Sequence, residues 1–325
     1  MTDVSRSYVS ELTTAVGSGW NRFWFSTADP YPTCLLRIAV GLLAVYFVGS
    51  YSTDLVTWFG SAGLLPSAAV RQLSGETFGG TIDAVTRFSY LHYVSTPSGL
   101  WICHALGLLV LLCFTLGLYS RITSILSLVI VLSYIHRAPL LAGQFEPLLT
   151  MAIFYLCIAP VGAHLSVDRW WQTRRGAAST PARPSVAANI SLRLLQIHVV
   201  GFYLLMALSQ LAGETWWMGD AAWWLIAHSE SRLADLTFLH SSPLLVAGLT
   251  HGIVLFELLF ALLIWKPLAR PLLMLASLIV WPFLALLTGL VSFAAIMLVL
   301  NIAFLSPRQL RRWTPLSARS PAVGD

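Results

Sequence analysis

The chain has 325 residues, of which 57% are hydrophobic and only 10% carry a charged side chain. Soluble domains carry about 25% charged residues, so this chain cannot cover its surface with groups that water solvates, which excludes an ordinary soluble enzyme. The net charge of +5 comes almost entirely from arginines in loops between apolar runs. No basic stretch is interleaved with base-stacking aromatic residues, which argues against nucleic acid as a partner.

Apolar runs of nearly twenty residues recur along the chain, and a helix of that length crosses about 30 Å of hydrocarbon. The sequence therefore predicts an all-α, polytopic membrane bundle of eight transmembrane helices. The predicted spans are 33–50, 98–118, 121–136, 147–163, 189–212, 243–265, 268–286 and 289–305. Residues 1–32 are predicted to form a cytoplasmic or interfacial segment, residues 33–305 the transmembrane domain, and residues 306–325 a basic cytoplasmic tail.

The positions of the basic residues predict the orientation, because cytoplasmic loops are enriched in arginine and lysine. If the N-terminus is cytoplasmic, thirteen of the 19 basic residues fall on that side, four on the other side and two inside spans. Adding or removing one span would destroy this separation, so we predict that both termini are cytoplasmic. The segment 164–188 is predicted to be a flexible cytoplasmic linker that touches anionic lipid.

Ionisable side chains inside membrane helices are costly, at about 2.5–3.5 kcal/mol each on insertion scales, so each needs a partner, a cavity or a route to the surface. Arg37 and Glu257 fall in the cytoplasmic halves of the first and sixth spans. Glu257 is far from both surfaces and is expected to be protonated or paired. We interpret Arg37 and Glu257 as a structural ion pair, with a supporting catalytic role for Glu257 as the alternative.

A second polar layer is predicted towards the non-cytoplasmic face. His104, Gln210 and His251 fall at that depth, and Gln144 and Glu146 lie in or beside a loop that overhangs it. His104 and His251 are the candidate acid and base of a site there. The alternative is that each histidine only forms hydrogen bonds between helices.

A polar stripe on the fifth span supports the ligand-site hypothesis. Tyr203 and Gln210 are seven residues apart and share one helix face, which in a membrane must contact protein or water. The segment 213–242, with Trp216 and Trp217, is predicted to lie along the membrane interface or to dip into it above this layer. Tyr203, Gln210, Trp216 and Trp217, with Gln144 and Glu146, are the candidate ligand-binding residues. No metal-ligand pair stands at helical spacing, so no metal site is predicted.

Several short motifs occur in a characteristic order along the chain. They are LRIAVGLL at 36–43, WFG at 58–60 with GLLP at 63–66, SVD at 166–168, the Trp- and Gly-containing stretch 213–221, His251-Gly252 with Glu257, and FLSP at 304–307. In this order they resemble the HTTM (horizontally transferred transmembrane) proteins, the bacterial relatives of the membrane domain of vitamin K-dependent gamma-carboxylase. The resemblance extends over about residues 20 to 310.

This resemblance implies a helical scaffold in the bacterial inner (cytoplasmic) membrane and a ligand related to reduced quinone, since the carboxylases oxygenate reduced vitamin K near the lumenal face. The resemblance also places Gln210 at the position of the carboxylases' key lysine. Glutamine cannot act as a general base, and the only lysine in the chain is Lys266. The resemblance therefore implies the scaffold without carboxylation.

Three functions stay open at this point. The favoured one is a membrane protein that binds a quinone or a lipid-like small molecule, with or without catalysis. The second is a non-enzymatic partner or maturation protein, similar to the HTTM-like component of the bacterial sporulation-delaying toxin system. The third is a proton-coupled transporter that uses Glu257 and the histidines, which the lack of repeat symmetry among eight helices weakens.

Overall fold

A computed structural model describes residues 2–70, 72, 88–94, 96–175, 183–228 and 233–313. In this part of the chain the secondary structure is helical, without strands, and one isolated antiparallel bridge joins Ala28 to Ser185. The predicted all-α class is confirmed. Two predicted features lie partly outside the described residues, namely the tail beyond residue 313 and the linker at residues 176–182.

A helix lies at each of the eight predicted spans. In chain order the described α-helices are α1 (Thr2–Phe25), α2 (Tyr31–Gly49), α3 (Leu55–Phe59), α4 (Pro97–Leu116), α5 (Ser120–Arg137), α6 (Phe145–Ile158), α7 (Val167–Arg174), α8 (Val186–Leu211), α9 (Glu214–Met218), α10 (Ala221–Ala227), α11 (Pro243–Leu263), α12 (Arg270–Thr288), α13 (Val291–Asn301) and α14 (Pro307–Trp313). The predicted spans correspond to α2, α4, α5, α6, α8, α11, α12 and α13.

Five of these helices, α2, α4, α8, α11 and α12, are long and apolar enough to cross a membrane. They indicate a multi-pass membrane protein. Of the other three helices at predicted spans, α5 has 18 residues but is less apolar than these five, whereas α6 has only 14 residues and α13 only 11. At 1.5 Å per residue these two cover about 21 Å and about 17 Å, less than the full hydrocarbon thickness of about 30 Å.

The chain forms two compact units. Unit 1 comprises residues 1–137, 151–194 and 306–325, and unit 2 comprises residues 138–150 and 195–305. The α6 and α8 helices each contribute residues to both.

In unit 1, α2 packs closely against α4. A Cβ atom added to Gly41 would lie 2.4 Å from the Thr115 hydroxyl oxygen and 3.0 Å from the Thr115 Cα atom. The first distance is shorter than real Cβ atoms show and the second is very tight, so glycine at this position allows the close approach of the two helices. Gly41 belongs to the LRIAVGLL stretch, so part of that motif has a packing role here.

Arg37 ties α2 to the loop that follows α6. Its side chain is 0% exposed, and its guanidinium group donates to the carbonyl oxygens of Val161, at 2.6 Å, and Leu165. The end of α4 closes over the same group, since a Cβ atom on Gly117 would lie 2.4 Å from Arg37 Nη1. Gly117 also has a φ of 73°, a left-handed conformation that glycine adopts without strain. Arg37 therefore holds three chain segments together inside unit 1.

The predicted flexible linker at 164–188 is wrong in its first part, because residues 167–174 form α7. The Ser166 hydroxyl caps this helix by accepting a hydrogen bond from the Arg169 backbone N–H at 3.0 Å. The Asp168 carboxylate accepts hydrogen bonds from the backbone N–H groups of Tyr119 and Ser120 at the start of α5. Capping and this tie to α5 together stabilise a short polar helix.

Unit 2 has an aromatic core around Tyr203 of α8. The Tyr203 ring stacks on Phe260 of α11, with ring centroids 4.0 Å apart. Trp281 of α12 meets Phe293 of α13 edge to face at 5.3 Å. These contacts bring α8, α11, α12 and α13 around one centre, next to which the polar groups of unit 2 are buried.

Candidate functional site

A buried carboxyl group in unit 2 is the centre of the candidate site. Glu257 of α11 is only 1% exposed, and its Oε1 accepts a hydrogen bond from the Gln210 side-chain amide at 3.2 Å. Gln210 is the second-last residue of α8. The structure thus brings together two residues that the sequence proposed for a site.

Among the described residues, three buried side-chain oxygen atoms of α8, α11 and α13 have no hydrogen-bond donor. They are Glu257 Oε2, Gln210 Oε1 and Asn301 Oδ1. Buried polar atoms in folded proteins nearly always have a partner, and leaving one unpaired costs about 1–3 kcal/mol. Gln210 Oε1 and Asn301 Oδ1 are hydrogen-bond acceptors, and Glu257 Oε2 is a third acceptor when the carboxyl group is ionised. In that state the region lacks hydrogen-bond donors.

Tyr203 belongs to the same polar region. Its hydroxyl oxygen accepts hydrogen bonds from Trp281 Nε1 at 2.7 Å and from Asn301 Nδ2 at 3.2 Å. Tyr203 is 0% exposed, and its ring contacts that of Phe256, the residue before Glu257. The predicted ligand-binding residue Tyr203 therefore lies in the core, where it orients Asn301 beside the candidate site.

The contact between Gln210 and Glu257 overturns their predicted separation into two polar layers. Glu257 follows Pro243, the first residue of α11, by fourteen residues, or about 21 Å along the helix axis. Gln210 in contrast stands at the very end of α8. The end of α8 therefore lies level with the second half of α11, and the prediction that Gln210 and Glu257 occupy different depths is wrong.

The segment after α8 packs along the first half of α11. The Thr250 hydroxyl donates to the Gly219 carbonyl at 2.8 Å and accepts from the Ala222 backbone N–H at 3.0 Å. These two hydrogen bonds fix α9 and α10 against α11. Gly219 forms the left-handed turn between α9 and α10, with φ 84°. A Cβ atom on Gly219 would meet the ring of His251 at 3.2 Å.

His251 and the two tryptophans of α9 are more exposed than the buried carboxyl group of Glu257. His251 is exposed, and its Nδ1 bonds to the Ala247 carbonyl one turn earlier in α11 at 2.8 Å. Trp217 is 64% exposed and donates from Nε1 to the Leu211 carbonyl. Trp216 is half-buried in the same short helix. Their proposed roles in catalysis and ligand binding stay predictions.

His104 lies in unit 1 and forms its own hydrogen-bonded chain. It is 2% exposed, with Nε2 at 2.8 Å from the Ser52 hydroxyl and Nδ1 at 2.7 Å from the Tyr134 hydroxyl. Both ring nitrogens thus have partners. This arrangement matches the alternative interpretation, in which His104 of α4 forms hydrogen bonds to neighbouring segments of the chain. A catalytic role for His104 stays a prediction.

The remaining candidates have local roles. Gln144 is exposed, and Glu146 accepts a hydrogen bond from the Gly143 backbone N–H at 2.7 Å, which helps to cap the start of α6. Arg37 and Glu257 have separate hydrogen-bond partners, the carbonyls of unit 1 and the amide of Gln210. The predicted ion pair between them stays a prediction.

Sequence reasoning missed Trp281 and did not include Asn301 in the site. Trp281 lies 78 residues after its partner Tyr203. A tryptophan in an apolar run commonly contacts lipid or the protein core, so its residue type gave no signal for a site. Asn301 is an amide within an apolar helix, which is the one signal that could have found it.

No protein-family model, no curated protein and no solved structure matches this chain. The HTTM resemblance therefore stays a prediction.

Proposed function

We propose that the chain is an HTTM-like membrane protein that crosses the bilayer eight times, with both termini in the cytoplasm. A helix at each predicted span supports this proposal, and so does the separation of basic residues. Single cysteines introduced near either terminus are expected to resist a membrane-impermeant thiol reagent in intact cells and to react after permeabilisation. Labelling of either terminus in intact cells would contradict the proposed topology.

Within this architecture, the function that the polar site of unit 2 supports best is binding of a small apolar molecule that donates hydrogen bonds, with a reduced quinone as the leading candidate. One observation carries this proposal: the buried acceptors Glu257 Oε2, Gln210 Oε1 and Asn301 Oδ1 lack donors. A ligand that supplies hydroxyl groups would satisfy them.

The chemistry of quinones makes this proposal specific. A reduced quinone carries two hydroxyl donors on a flat apolar ring, whereas the oxidised form offers only acceptors. Aromatic side chains beside the site suit such a ring, since Phe256 lies next to Glu257 and meets Tyr203 at a centroid distance of 5.9 Å. The site is therefore expected to distinguish the two redox forms of one quinone.

The test compares reduced and oxidised forms of one short-chain naphthoquinone, under anaerobic conditions, with the purified protein in detergent. We expect the reduced form to bind at least about tenfold more tightly, because a hydrogen bond to a charged group contributes about 1.5–3 kcal/mol. In Glu257→Gln the new amide can itself supply a donor, so the ratio of the affinities for the reduced and oxidised forms is expected to fall towards one. Binding is measured by quenching of tryptophan fluorescence.

Glu214→Gln is the matched control, because it makes the same chemical change at an exposed position of unit 2. It should leave the preference unchanged. Equal binding of both redox forms, or equal effects of the two variants on binding, would contradict the proposed site. Absence of any binding would favour the role of a membrane partner protein.

A further inference from the structure

The second half of α1 carries an exposed apolar face. Leu12, Val16 and Trp20 follow one another at intervals of four residues, so they lie on one face of the helix. Their side chains are 48%, 62% and 60% exposed. Hydroxyl-bearing residues occupy the opposite face, among them Thr14 and Ser18, which are exposed as well. This part of α1 is therefore amphipathic, and its apolar face is open.

The same part of α1 needs a covering surface in order to be a stable helix. Every residue from 10 to 22 is exposed. This stretch includes two glycines, a valine and several serines and threonines, which are all weaker helix formers than alanine. Short helices are marginal in water even when their sequences favour a helix, and most helical stability in proteins comes from packing an amphipathic face. An apolar surface against the exposed face would supply that stabilisation.

The C-terminal end of α1 is fixed where two membrane-crossing helices begin. Asn189, in the first turn of α8, donates from Nδ2 to the backbone carbonyl oxygens of Phe23, at 2.8 Å, and Trp24, at 2.9 Å. The guanidinium carbon of Arg193 lies 4.5 Å from the ring centroid of Phe23. A short linker joins the end of α1 to the start of α2. Because α2 and α8 are both long and apolar enough to cross a membrane, the anchored end of α1 lies at the membrane surface where they begin.

The anchored end also sets the direction of the apolar face. Phe23 follows Val16 by seven residues, or about two helical turns, so the two side chains lie on the same face of α1. That face is turned towards α8 where Phe23 contacts Arg193. Further towards the N-terminus, the same face meets whatever surrounds the helices at this level. Around a multi-pass membrane protein, this is the layer of lipid headgroups and the upper part of the acyl chains.

We infer that α1 lies in the plane of the bilayer, with Leu12, Val16 and Trp20 inserted into the leaflet in which α2 and α8 begin. Amphipathic helices bury their apolar face about 5–10 Å into the boundary between headgroups and acyl chains. Trp20 suits this depth, because tryptophan concentrates at the membrane interface. A second copy of the chain is the competing occupant of the face. The bilayer is favoured because it adjoins α1 in every membrane-inserted copy.

The test places spin labels on both faces of α1 in the full-length protein, with one copy in each phosphatidylcholine nanodisc. Leu12→Cys and Val16→Cys carry the label on the apolar face, and Thr14→Cys and Ser18→Cys are the matched controls on the opposite face. The four natural cysteines are replaced with alanine. Collisions with oxygen, which concentrates in lipid, and with a water-soluble nickel complex give the depth of each label. We expect the labels at 12 and 16 to lie about 5–10 Å below the lipid phosphates and those at 14 and 18 to contact water.

Two results of this experiment would overturn the inference. Labels in water at all four positions would mean that α1 extends away from the membrane. Labels at 12 and 16 that neither oxygen nor the nickel complex reaches would mean that protein covers the face. Because each nanodisc holds one copy, a second copy cannot produce the shielding.

Hydrogen–deuterium exchange of the wild type in the same nanodiscs provides a second test if the cysteine-free protein does not fold. We expect slow exchange of the backbone amides of residues 10–22. Val16→Asp is expected to speed this exchange at least about tenfold, because the free energy of burying the valine side chain is lost. Thr14→Asp is the matched control on the polar face and should leave the exchange rate unchanged. Equal exchange rates in the two variants would contradict insertion of α1 into lipid.

Discussion

Replacing Arg37 with methionine is expected to lower the free energy of unfolding by about 3–6 kcal/mol, because two charge-assisted hydrogen bonds of about 1.5–3 kcal/mol each are lost. Methionine fills much of the space of the arginine stem but donates nothing. The carbonyl oxygens of Val161 and Leu165 would then lose the donor that they share in the wild type. Unfolding of the purified protein in detergent, followed by tryptophan fluorescence, measures the change.

Two further variants separate the causes of this loss. Arg37→Lys keeps the charge but replaces the planar guanidinium group, which reaches both carbonyls, with a single ammonium group. An intermediate loss of unfolding free energy is therefore expected. Arg308→Met makes the same chemical change at an exposed site of α14 and should cost less than about 0.5 kcal/mol. If the variants at positions 37 and 308 unfold at the same temperature, Arg37 does not hold the loop after α6 to α2.

The partner of Arg37 shows where sequence reasoning reaches its limit. An arginine in an apolar helix must have compensation, and the sequence indicated this correctly. It could not indicate backbone carbonyls as the partners, because every residue has one and only the folded loop brings two of them together. An acidic residue at a similar predicted depth, Glu257, was therefore the natural candidate.

The helices themselves were the most predictable feature, since nearly twenty consecutive apolar residues favour a helix locally. The short polar helix α7 was missed for the opposite reason. Eight residues, seven of them polar or aromatic, do not form a stable helix alone, and α7 is stabilised by the Ser166 cap and by contacts of Asp168 with α5. The cap is local, but the contacts with α5 form only when α7 packs against it.

The candidate site was predictable in its residue types but not in its depth. Tyr203 and Gln210 were correctly placed on a face that meets protein, as the burial of Tyr203 and the bond of Gln210 to Glu257 show. The depth estimate assumed that consecutive helices begin and end at the same level. Because α9 and α10 pack along the first half of α11, α8 ends beside Glu257. That level is about 21 Å along the helix axis from the start of α11.

Replacing Trp281 with alanine is expected to lower the free energy of unfolding by about 3–5 kcal/mol, the usual cost of deleting a large buried aromatic side chain. Trp281 is 1% exposed and contacts both Tyr203 and Phe293. The exposed Trp224 in the same unit is the control, and its replacement by alanine should cost far less. Denaturation of both variants in detergent gives the comparison.

Trp281→Phe then distinguishes packing from hydrogen bonding. Phenylalanine keeps a ring in the core but removes the donor to the Tyr203 hydroxyl, which still accepts from Asn301. The expected cost is only about 0.5–1.5 kcal/mol, plus a small cavity term. If phenylalanine costs as much as alanine, the hydrogen bond dominates. Tyr203 would then be held mainly by its polar contacts, and the aromatic core would be secondary to the polar network beside Glu257.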